Sequence, residues 1–355
     1  QKSSVRFNSG GSGEFVSEDG LILSNHHVGA DTLQKVSTKE KDYLKKGFYA
    51  ARLAEEIKAP DLELNVLMSI EDVTARVNAA VAPGASDEES FKQRRAVMAE
   101  IEKESKEKTG QRSDVVTLYQ GGRYHLYRFK RYTDVRLVFA PEQQIAFFGG
   151  DPDNFEYPRF NLDVCFFRAY EDGKPAKVEH YLKWSQAGTK EGDLIFVSGH
   201  PGRTSRKFTM AELEYVRDTQ IPRTLQRLFR GEVLLDAYSK RNQENARRAK
   251  DELFGIQNSR KARKGGLAGL LDPQLIGKKA ADEKALREKI AAREELKETL
   301  PAYDRIAAAQ KIIAENARLH GLLEGGSAFQ SDLFGIARTL LRAAEERAKP
   351  NSDRL

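Results

Sequence analysis

The sequence is poor in several features, and each shortage excludes a class of protein or site. The single cysteine, Cys165, excludes an intrachain disulfide and a cysteine-rich metal site. No apolar run approaches the ~20 residues that a membrane-spanning helix needs, so we expect no transmembrane span. The first residues show neither a start methionine nor the charged and apolar regions of a signal peptide. This opening indicates a chain that was processed, trimmed or cut from a longer one.

The charged residues are numerous but mixed in sign. Lys and Arg number 59 against 53 Asp and Glu, which leaves a net charge of +6. This balance permits nucleic-acid binding without indicating it. With 18 Phe, 12 Tyr and 39% hydrophobic residues, most of the chain has enough apolar material to fold. Its 355 residues exceed what one core usually organises, which predicts two domains or one domain with an insertion.

The chain changes character near residue 205. Before it, short apolar runs separated by Gly-containing turns predict strands and a β-barrel or sandwich. The predicted strands are 14–17, 21–24, 62–70, 115–120, 123–129, 133–139, 163–170 and 194–198, with helices at 39–57 and 86–108. After it, Ala, Leu, Glu, Lys and Arg at helical spacing predict an all-α region. Within that region we expect breaks at Gly265–Gly266 and Asp272–Pro273 and a helix from Ser331–Asp332 to about Lys349.

Residues 10–28, which read GGSGEFVSEDGLILSNHHV, carry the strongest chemical signal. Two β-prone runs flank an Asp-Gly pair, which predicts a hairpin that leads directly to two histidines. This string resembles trypsin-like serine peptidases, in which such a hairpin leads to the catalytic histidine. His27 takes that place because it directly precedes a small apolar residue, Val28. His26 is then a structural neighbour, and because adjacent strand residues point to opposite faces, we expect no shared metal.

A histidine that acts as a general base needs a buried carboxylate to orient its ring. Residues 163–170 read DVCFFRAY and place Asp163 at the start of an apolar strand, well after the histidine. Asp151 and Asp153, in the loop before that strand, are the competing candidates. Cys165 lies within the apolar strand and is expected to be inert core.

A wider resemblance rests on residues 148–159, which read FGGDPDNFEYPR, and on GHPGRT at 199–204. Together with the histidine string and the basic helical half, these motifs resemble the bacterial dipeptidyl-peptidase 7 and 11 family, serine peptidase family 46. The resemblance implies a β-rich plus α fold, a trypsin-like double β-barrel with an all-α cap domain inserted into the second barrel. We therefore expect the first barrel over 1–180, the start of the second over 181–205, and the helical cap over 206–355.

The resemblance also implies an activity and a set of residues. The activity is release of dipeptides from free peptide N-termini through an acyl-enzyme, with His27 as general base and Asp163 orienting it. Asn154 and Phe155 would hold the substrate amine, and Asn258 would complete that site. Amide oxygens accept hydrogen bonds from an ammonium without burying another charge. An Asx-turn for Asn154 and a solvated helix position for Asn258 remain the alternatives.

The same resemblance implies the setting of the reaction. We expect peptides with a free N-terminus as substrates, no cofactor and no metal, and a homodimer in the periplasm or at the cell surface. The helical cap would close the cleft and stop longer chains from threading through. Two positions depart from the family pattern: Val28 stands where the family commonly has Cys, and Phe155 where it often has Trp.

A nucleophile is missing from the pattern. Trypsin-like chemistry needs a serine in a Gly-x-Ser-Gly turn, and no such turn follows Asp163. Ser198 lacks the preceding Gly, Ser327 lies among predicted helices, and Ser12 belongs to the histidine hairpin. We therefore expect the nucleophile beyond Leu355 and no catalysis by this chain alone.

Two other functions compete with the peptidase. One is a catalytically inactive fragment or pseudo-peptidase that binds peptides on the same scaffold. The other is nucleic-acid binding by residues 223–264, which hold twelve Lys or Arg against five Asp or Glu. Because no aromatic residues are interleaved in a known binding motif, a solvated helical face explains this charge better.

Overall fold

The structure is a computed structural model. It describes residues 1–8, 10–38, 40–146, 154–200, 205–325, 331–350 and 354. The contacts divide the chain into two compact units. The first contains Gln1–Phe147, Asn161–Gly202 and Arg342–Leu355, and the second contains Phe148–Phe160 and Arg203–Leu341.

The first unit is built on one antiparallel sheet. Its strands are β1 (Ser4–Phe7), β2 (Ser12–Phe15), β3 (Leu21–Ser24), β4 (Phe48–Tyr49), β5 (Ile57–Lys58), β6 (Leu64–Asp72), β7 (Arg112–Leu118), β8 (Arg123–Tyr132), β9 (Asp134–Ala140), β10 (Cys165–Glu171) and β11 (Lys174–Pro175). They are ordered β4-β9-β10-β3-β2-β1-β6-β8-β7, with β11 beside β10 and β5 beside β9. The sequence correctly predicted seven of these strands, because their apolar residues alternate or form short runs.

The hairpin before the two histidines is confirmed. β2 pairs with β3 so that Phe15 lies opposite Ile22. Gly20 in the connecting turn has a φ of 68°, a left-handed conformation that glycine adopts without steric cost. Phe15 and Ile22 are both fully buried, so the hairpin is anchored in the core.

The helices of the first unit are α1 (His26–Val36), α2 (Tyr43–Lys46), α3 (Thr74–Ala79), α4 (Asp87–Thr109) and α5 (Gln143–Ala146). The helix predicted at 86–108 is α4, which begins with a capping box between Ser86 and Glu89 and ends at Gly110. The helix predicted over 39–57 is wrong. Among the described residues of this range only the four of α2 are α-helical, with one 3-10 turn at Leu53–Glu55, because β4 and β5 pair with β9 and add to the sheet.

The strand predicted over 194–198 is also absent. The apolar run in this segment is typical of a strand, but its side chains are largely exposed: Leu194, Ile195, Phe196 and Val197. A strand needs a hydrogen-bonded neighbour, and the described residues provide none for this segment.

Two clusters of apolar side chains stabilise the first unit. The larger one contains the fully buried rings of Phe7, Phe15 and Phe167 together with Ile22 and Leu137. Burying each such side chain contributes roughly 1.5–3 kcal/mol. The smaller cluster joins α3 and α4 to the sheet through Val73, Val77, Ile101, Val115, Tyr124 and Leu126.

The second unit is helical, and no strand occurs among its described residues. Its helices are α6 (Met210–Tyr215), α7 (Ile221–Ser239), α8 (Gln243–Leu271), α9 (Pro273–Ala291), α10 (Pro301–Leu323) and α11 (Asp332–Arg347), the last of which continues into the segment assigned to the first unit. In the described part of the chain, no helix is both long and apolar enough to cross a membrane.

The predicted helix boundaries of this unit are partly correct. The Ser331 hydroxyl accepts a hydrogen bond from the backbone N–H of Phe334, as expected of the residue before α11. The break at Asp272–Pro273 is confirmed, because the Asp272 carboxylate caps α9. The break predicted at Gly265–Gly266 is wrong, since α8 continues through both glycines for its full 29 residues. Glycine weakens a helix by only about 1 kcal/mol relative to alanine, which a long helix tolerates.

Candidate active site

The pairing of β10 with β3 brings His27 and Asp163 together. In this pairing Cys165 lies opposite Ser24. Asp163, two residues before Cys165, therefore lies beside the start of α1, which begins two residues after Ser24. There the Nδ1 atom of His27 lies 2.6 Å from Oδ2 of Asp163. The backbone N–H of His27 donates a second hydrogen bond, of 3.0 Å, to Oδ1 of the same carboxylate. Both oxygens of Asp163 are therefore engaged by His27.

The two side chains differ in exposure. The Asp163 side chain is 14% exposed, whereas that of His27 is 49% exposed. Burial alone would raise the pKa of Asp163, but hydrogen bonds from the side chain and backbone of His27 outweigh it and hold the pKa below the usual 3.8. Asp163 is therefore ionised at neutral pH and can keep a proton on Nδ1 of His27. That tautomer leaves Nε2 as the basic nitrogen.

His26 is the buried member of the histidine pair. It is 4% exposed, and burial, more than any other cause, lowers its pKa below 6.5. Nε2 of its ring is buried without a hydrogen-bond partner among the described residues. The expectation that the pair lies on one strand is wrong, because both residues are in the first turn of α1. Successive residues of a helix point in different directions, so the two side chains diverge. Among the described residues, no cluster of metal-ligating side chains occurs.

The strand that carries Asp163 also holds Cys165. This cysteine is fully buried, and burial raises the pKa of its thiol. A thiol that stays protonated is a poor nucleophile, so the structure supports the interpretation of Cys165 as core.

In the second unit, Asn154 and Asn258 are in direct contact. The amide Nδ2 of Asn154 donates a hydrogen bond to Oδ1 of Asn258, which lies on α8. Asn154 is fully buried, and its own Oδ1 has no hydrogen-bond partner among the described residues. An unsatisfied buried acceptor costs about 1–3 kcal/mol. Within the described part of the chain, this pair therefore contains one amide oxygen, Oδ1 of Asn154, that receives no hydrogen bond.

Phe155 follows Asn154 in a left-handed backbone conformation, with φ at 62°. Its ring is 58% exposed, so it does not serve as core. One residue further, Glu156 forms a 3.1 Å ion pair with Lys261 on α8. Residues 154–156 are thus tied to α8 at two places, one turn apart.

The structure describes two of the three serines considered as nucleophiles and neither of the competing aspartates. Asp151, Asp153 and Ser327 lie outside the described residues. The hydroxyl of Ser198 donates to Oε1 of Glu14 at 2.9 Å. The hydroxyl of Ser12 accepts a 2.7 Å hydrogen bond from the backbone N–H of His200.

Sequence reasoning missed one residue at the His27–Asp163 pair. The Nδ2 atom of Asn25 lies 3.1 Å from Oδ2 of Asp163 and 3.1 Å from its carbonyl oxygen. The available signal was the Ser-Asn pair before the two histidines, since both are residues that favour helix N-caps. That signal predicts the start of α1 but not a contact with Asp163.

Known proteins with similar sequences are bacterial peptidases. Dipeptidyl-peptidase 7 of Phocaeicola vulgatus is 37% identical over 245 residues, which cover 64% of this chain and 34% of that protein. The Asp/Glu-specific dipeptidyl-peptidase of Shewanella putrefaciens is 31% identical over 358 residues, covering 96% of this chain and 47% of that protein. The chain therefore spans about a third to a half of the length of these relatives.

The fold is similar to that of a solved peptidase. The crystal structure of Porphyromonas endodontalis DPP11 in complex with the dipeptide Arg-Asp matches with a TM-score of 0.79 and 28% identity, over 91% of this chain and 49% of that one. This match confirms the β-rich plus helical fold class. The whole chain, residues 1–355, also matches the sequence pattern of Peptidase S46. The chain belongs to the peptidase S46 family.

Proposed function

We propose that this chain carries the general base and the orienting carboxylate of a serine dipeptidyl peptidase. The observation that supports this best is the His27–Asp163 pair, in which one carboxylate accepts hydrogen bonds from both Nδ1 and the backbone N–H of the histidine. That arrangement holds the imidazole in one orientation and one tautomer. The names of the similar proteins support the same class of reaction.

The chemistry follows from this orientation. Nε2 of His27 takes the proton of a serine hydroxyl as its oxygen attacks the carbonyl carbon of the second residue of the peptide. Asp163 stabilises the imidazolium that results. The imidazolium then protonates the departing amine, and the dipeptide stays on the serine as an ester. Water, deprotonated by the same nitrogen, hydrolyses the ester and releases the dipeptide.

The Asn154–Asn258 pair is proposed to bind the substrate's N-terminal ammonium. Oδ1 of Asn154 is buried and has no donor among the described residues, and an ammonium group brings three N–H donors. Because the Nδ2 of Asn154 already donates to Asn258, the oxygen is held in one direction. Phe155, the next residue in the chain, has an exposed ring, which suits the apolar part of a peptide.

The nucleophilic serine is proposed to lie beyond Leu355, in a second barrel that begins over 181–205. Two observations support this: no Gly-x-Ser-Gly turn follows Asp163, and Leu194, Phe196 and Val197 form an apolar run without a strand partner in the described structure. Reading the coding DNA past the codon for Leu355 tests it. We expect strands and a Gly-x-Ser-Gly turn. An immediate stop codon would refute the proposal and leave peptide binding as the function.

Activity is tested on the complete enzyme with dipeptidyl amides of a fluorescent amine. His27→Gln and Asp163→Asn should each lower kcat by about 10⁴-fold, as for other such triads. The matched control is His320→Gln, which replaces an exposed histidine at the end of α10 and should not change the rate. Undiminished hydrolysis by His27→Gln would refute the assignment of the base. Hydrolysis by residues 1–355 alone would refute the location of the serine.

The amine site is tested by comparing a free with an N-acetylated dipeptidyl amide. Asn154→Leu should lower kcat/KM for the free substrate about 10²-fold, since a hydrogen bond to a charged group contributes about 1.5–3 kcal/mol. The acetylated substrate should stay poor in both proteins. Asn316→Leu, on an exposed face of α10, is the control. If Asn154→Leu prefers the free over the acetylated substrate as strongly as the wild type does, the proposed site is contradicted.

Two properties implied by the resemblance complete the proposal. We propose that the protein acts in the periplasm or at the cell surface, and that it forms a homodimer. Cell fractionation tests the first and light scattering of the complete enzyme tests the second.

A further inference from the structure

Asn25 occupies the N-cap of α1 without capping it. Its backbone is extended, as an N-cap residue requires, but its side chain accepts no hydrogen bond from the first turn. An asparagine N-cap usually accepts one from the second or third backbone N–H of its helix. In α1 the second N–H is that of His27, and it donates to Oδ1 of Asp163 instead. The carboxylate of Asp163 therefore caps the helix that carries the histidine.

The side-chain amide of Asn25 contacts Asp163, the residue that caps α1 instead of Asn25. Its Nδ2 atom lies 3.1 Å from Oδ2 of Asp163 and 3.1 Å from the carbonyl oxygen of the same residue. Oδ2 thus accepts from both Nδ1 of His27 and the amide of Asn25, while Oδ1 accepts from the backbone of His27. Three donors from two residues of one chain segment, Asn25 and His27, hold this carboxylate.

We propose that Asn25 is a positioning residue, whose amide holds the carboxylate of Asp163 so that Oδ2 stays in line with Nδ1 of His27. This inference rests on the proposed function of that pair. A carboxylate can rotate about its bond to Cβ, and rotation would exchange or break the two contacts with His27. The contact of Asn25 with both the carbonyl and the carboxylate of Asp163 opposes that rotation.

The chemistry of the residue types separates this role from capping. Serine is as good an N-cap residue as asparagine, but its hydroxyl is shorter than the amide and has one hydrogen to donate. Aspartate also caps, but it cannot donate and would place a second negative charge beside Asp163. Serine at position 25 therefore retains the capacity to begin α1 and loses the amide donor.

The test uses NMR of the ¹⁵N-labelled chain of residues 1–355 and does not depend on turnover. A histidine Nδ1 proton held by a carboxylate exchanges slowly with water and gives a resonance far downfield, which His27→Gln identifies by its disappearance. In Asn25→Ser and Asn25→Asp we expect this proton to exchange at least about tenfold faster, the equivalent of losing one hydrogen bond to a charged group. Asn8→Ser is the control, because Asn8 also links distant segments, through the carbonyl of Asp61 and the N–H of Glu63.

The possible results separate the two proposals. A slow Nδ1 proton in wild type and Asn8→Ser, with fast exchange in both Asn25 variants, supports the positioning role. Slow exchange in Asn25→Ser, equal to wild type, overturns the role of Asn25 and leaves the His27–Asp163 pair intact. Absence of the downfield proton from wild type overturns the pair itself, and the positioning role with it. Circular dichroism at the temperature of the NMR experiment confirms that each variant is folded.

Discussion

Gly29 of α1 lies directly against Cys165 of β10. A β-carbon at Gly29 would lie 2.7 Å from the Cys165 sulfur and 3.3 Å from its Cβ. The helix that begins with His26 and His27 can therefore approach the strand that follows Asp163 only because this helix position has no side chain. The contact lies two residues from His27 and two from Asp163, so it allows the segments that carry them to lie close together.

Gly29→Ala should destabilise the first unit by about 1–3 kcal/mol, the usual cost of overpacking a core. The free energy of unfolding in urea measures it. Cys165→Ala should recover part of the loss in the double variant, because it removes the sulfur that the new methyl group meets. The control is Gly277→Ala on α9, where no atom of the described residues lies within 4 Å of a β-carbon; it should be neutral or stabilising by up to about 1 kcal/mol. Equal effects of the two alanine substitutions would contradict the proposed close contact.

Asp163→Asn should lower stability by about 1–3 kcal/mol at neutral pH, because His27 loses its charged acceptor. The pKa of Asp163 is lowered in the folded chain. Its contribution to stability is therefore fully present above the ordinary value of about 3.8 and is lost as the pH falls through the lower folded value. Urea unfolding of wild type and variant between neutral and strongly acidic pH should show the difference shrinking in acid. A difference independent of pH would contradict the ionised pair.

His26 should make the chain less stable as the pH falls below about 6.5. Burial lowers its pKa in the folded state, so the unfolded chain binds a proton that the folded chain does not. The free energy of unfolding then falls by at most about 1.4 kcal/mol per pH unit until the folded pKa is reached. His26→Gln should flatten this dependence, leaving the part that comes from His200, whose pKa burial also lowers. His320→Gln, at an exposed position, should follow the wild type. An unchanged slope in His26→Gln would show that His26 is not the group responsible.

Glu56 forms a buried ion pair whose loss should be costly. Its side chain is 2% exposed, pairs with Nε of Arg168 at 2.9 Å and accepts the hydroxyl of Tyr170 at 2.8 Å. Glu56→Gln leaves the Arg168 charge unpaired with only 14% of its side chain exposed, which costs about 3–5 kcal/mol. The control is Glu171→Gln, which breaks a surface pair with Lys130 and should cost at most about 1 kcal/mol. Urea unfolding compares the two. A loss no larger than that of Glu171→Gln would show that Arg168 finds another partner.

Local patterns were sufficient for much of the fold. The alternation over 62–70, the Asp-Gly hairpin before β3 and the helix over 86–108 depend on neighbours within a few residues, and each was predicted correctly. Segment 39–57 was predicted as a helix because its composition favours one, yet β4 and β5 lie there as short strands beside β9. Pairing with a strand about 80–90 residues away outweighed the local preference, as tertiary context can.

The motifs of the sequence were enough to select His27, Asp163, Asn154 and Asn258 as candidates. Which of these side chains touch depends on how the chain folds. His27 and Asp163 are 136 positions apart, and Asn154 and Asn258 are 104 apart. Contacts over such distances follow from strand register and helix packing, which depend on the burial of the whole core and not on any local pattern. For the same reason no motif could reveal that Asp163 caps α1 and that the amide of Asn25 is turned toward Asp163.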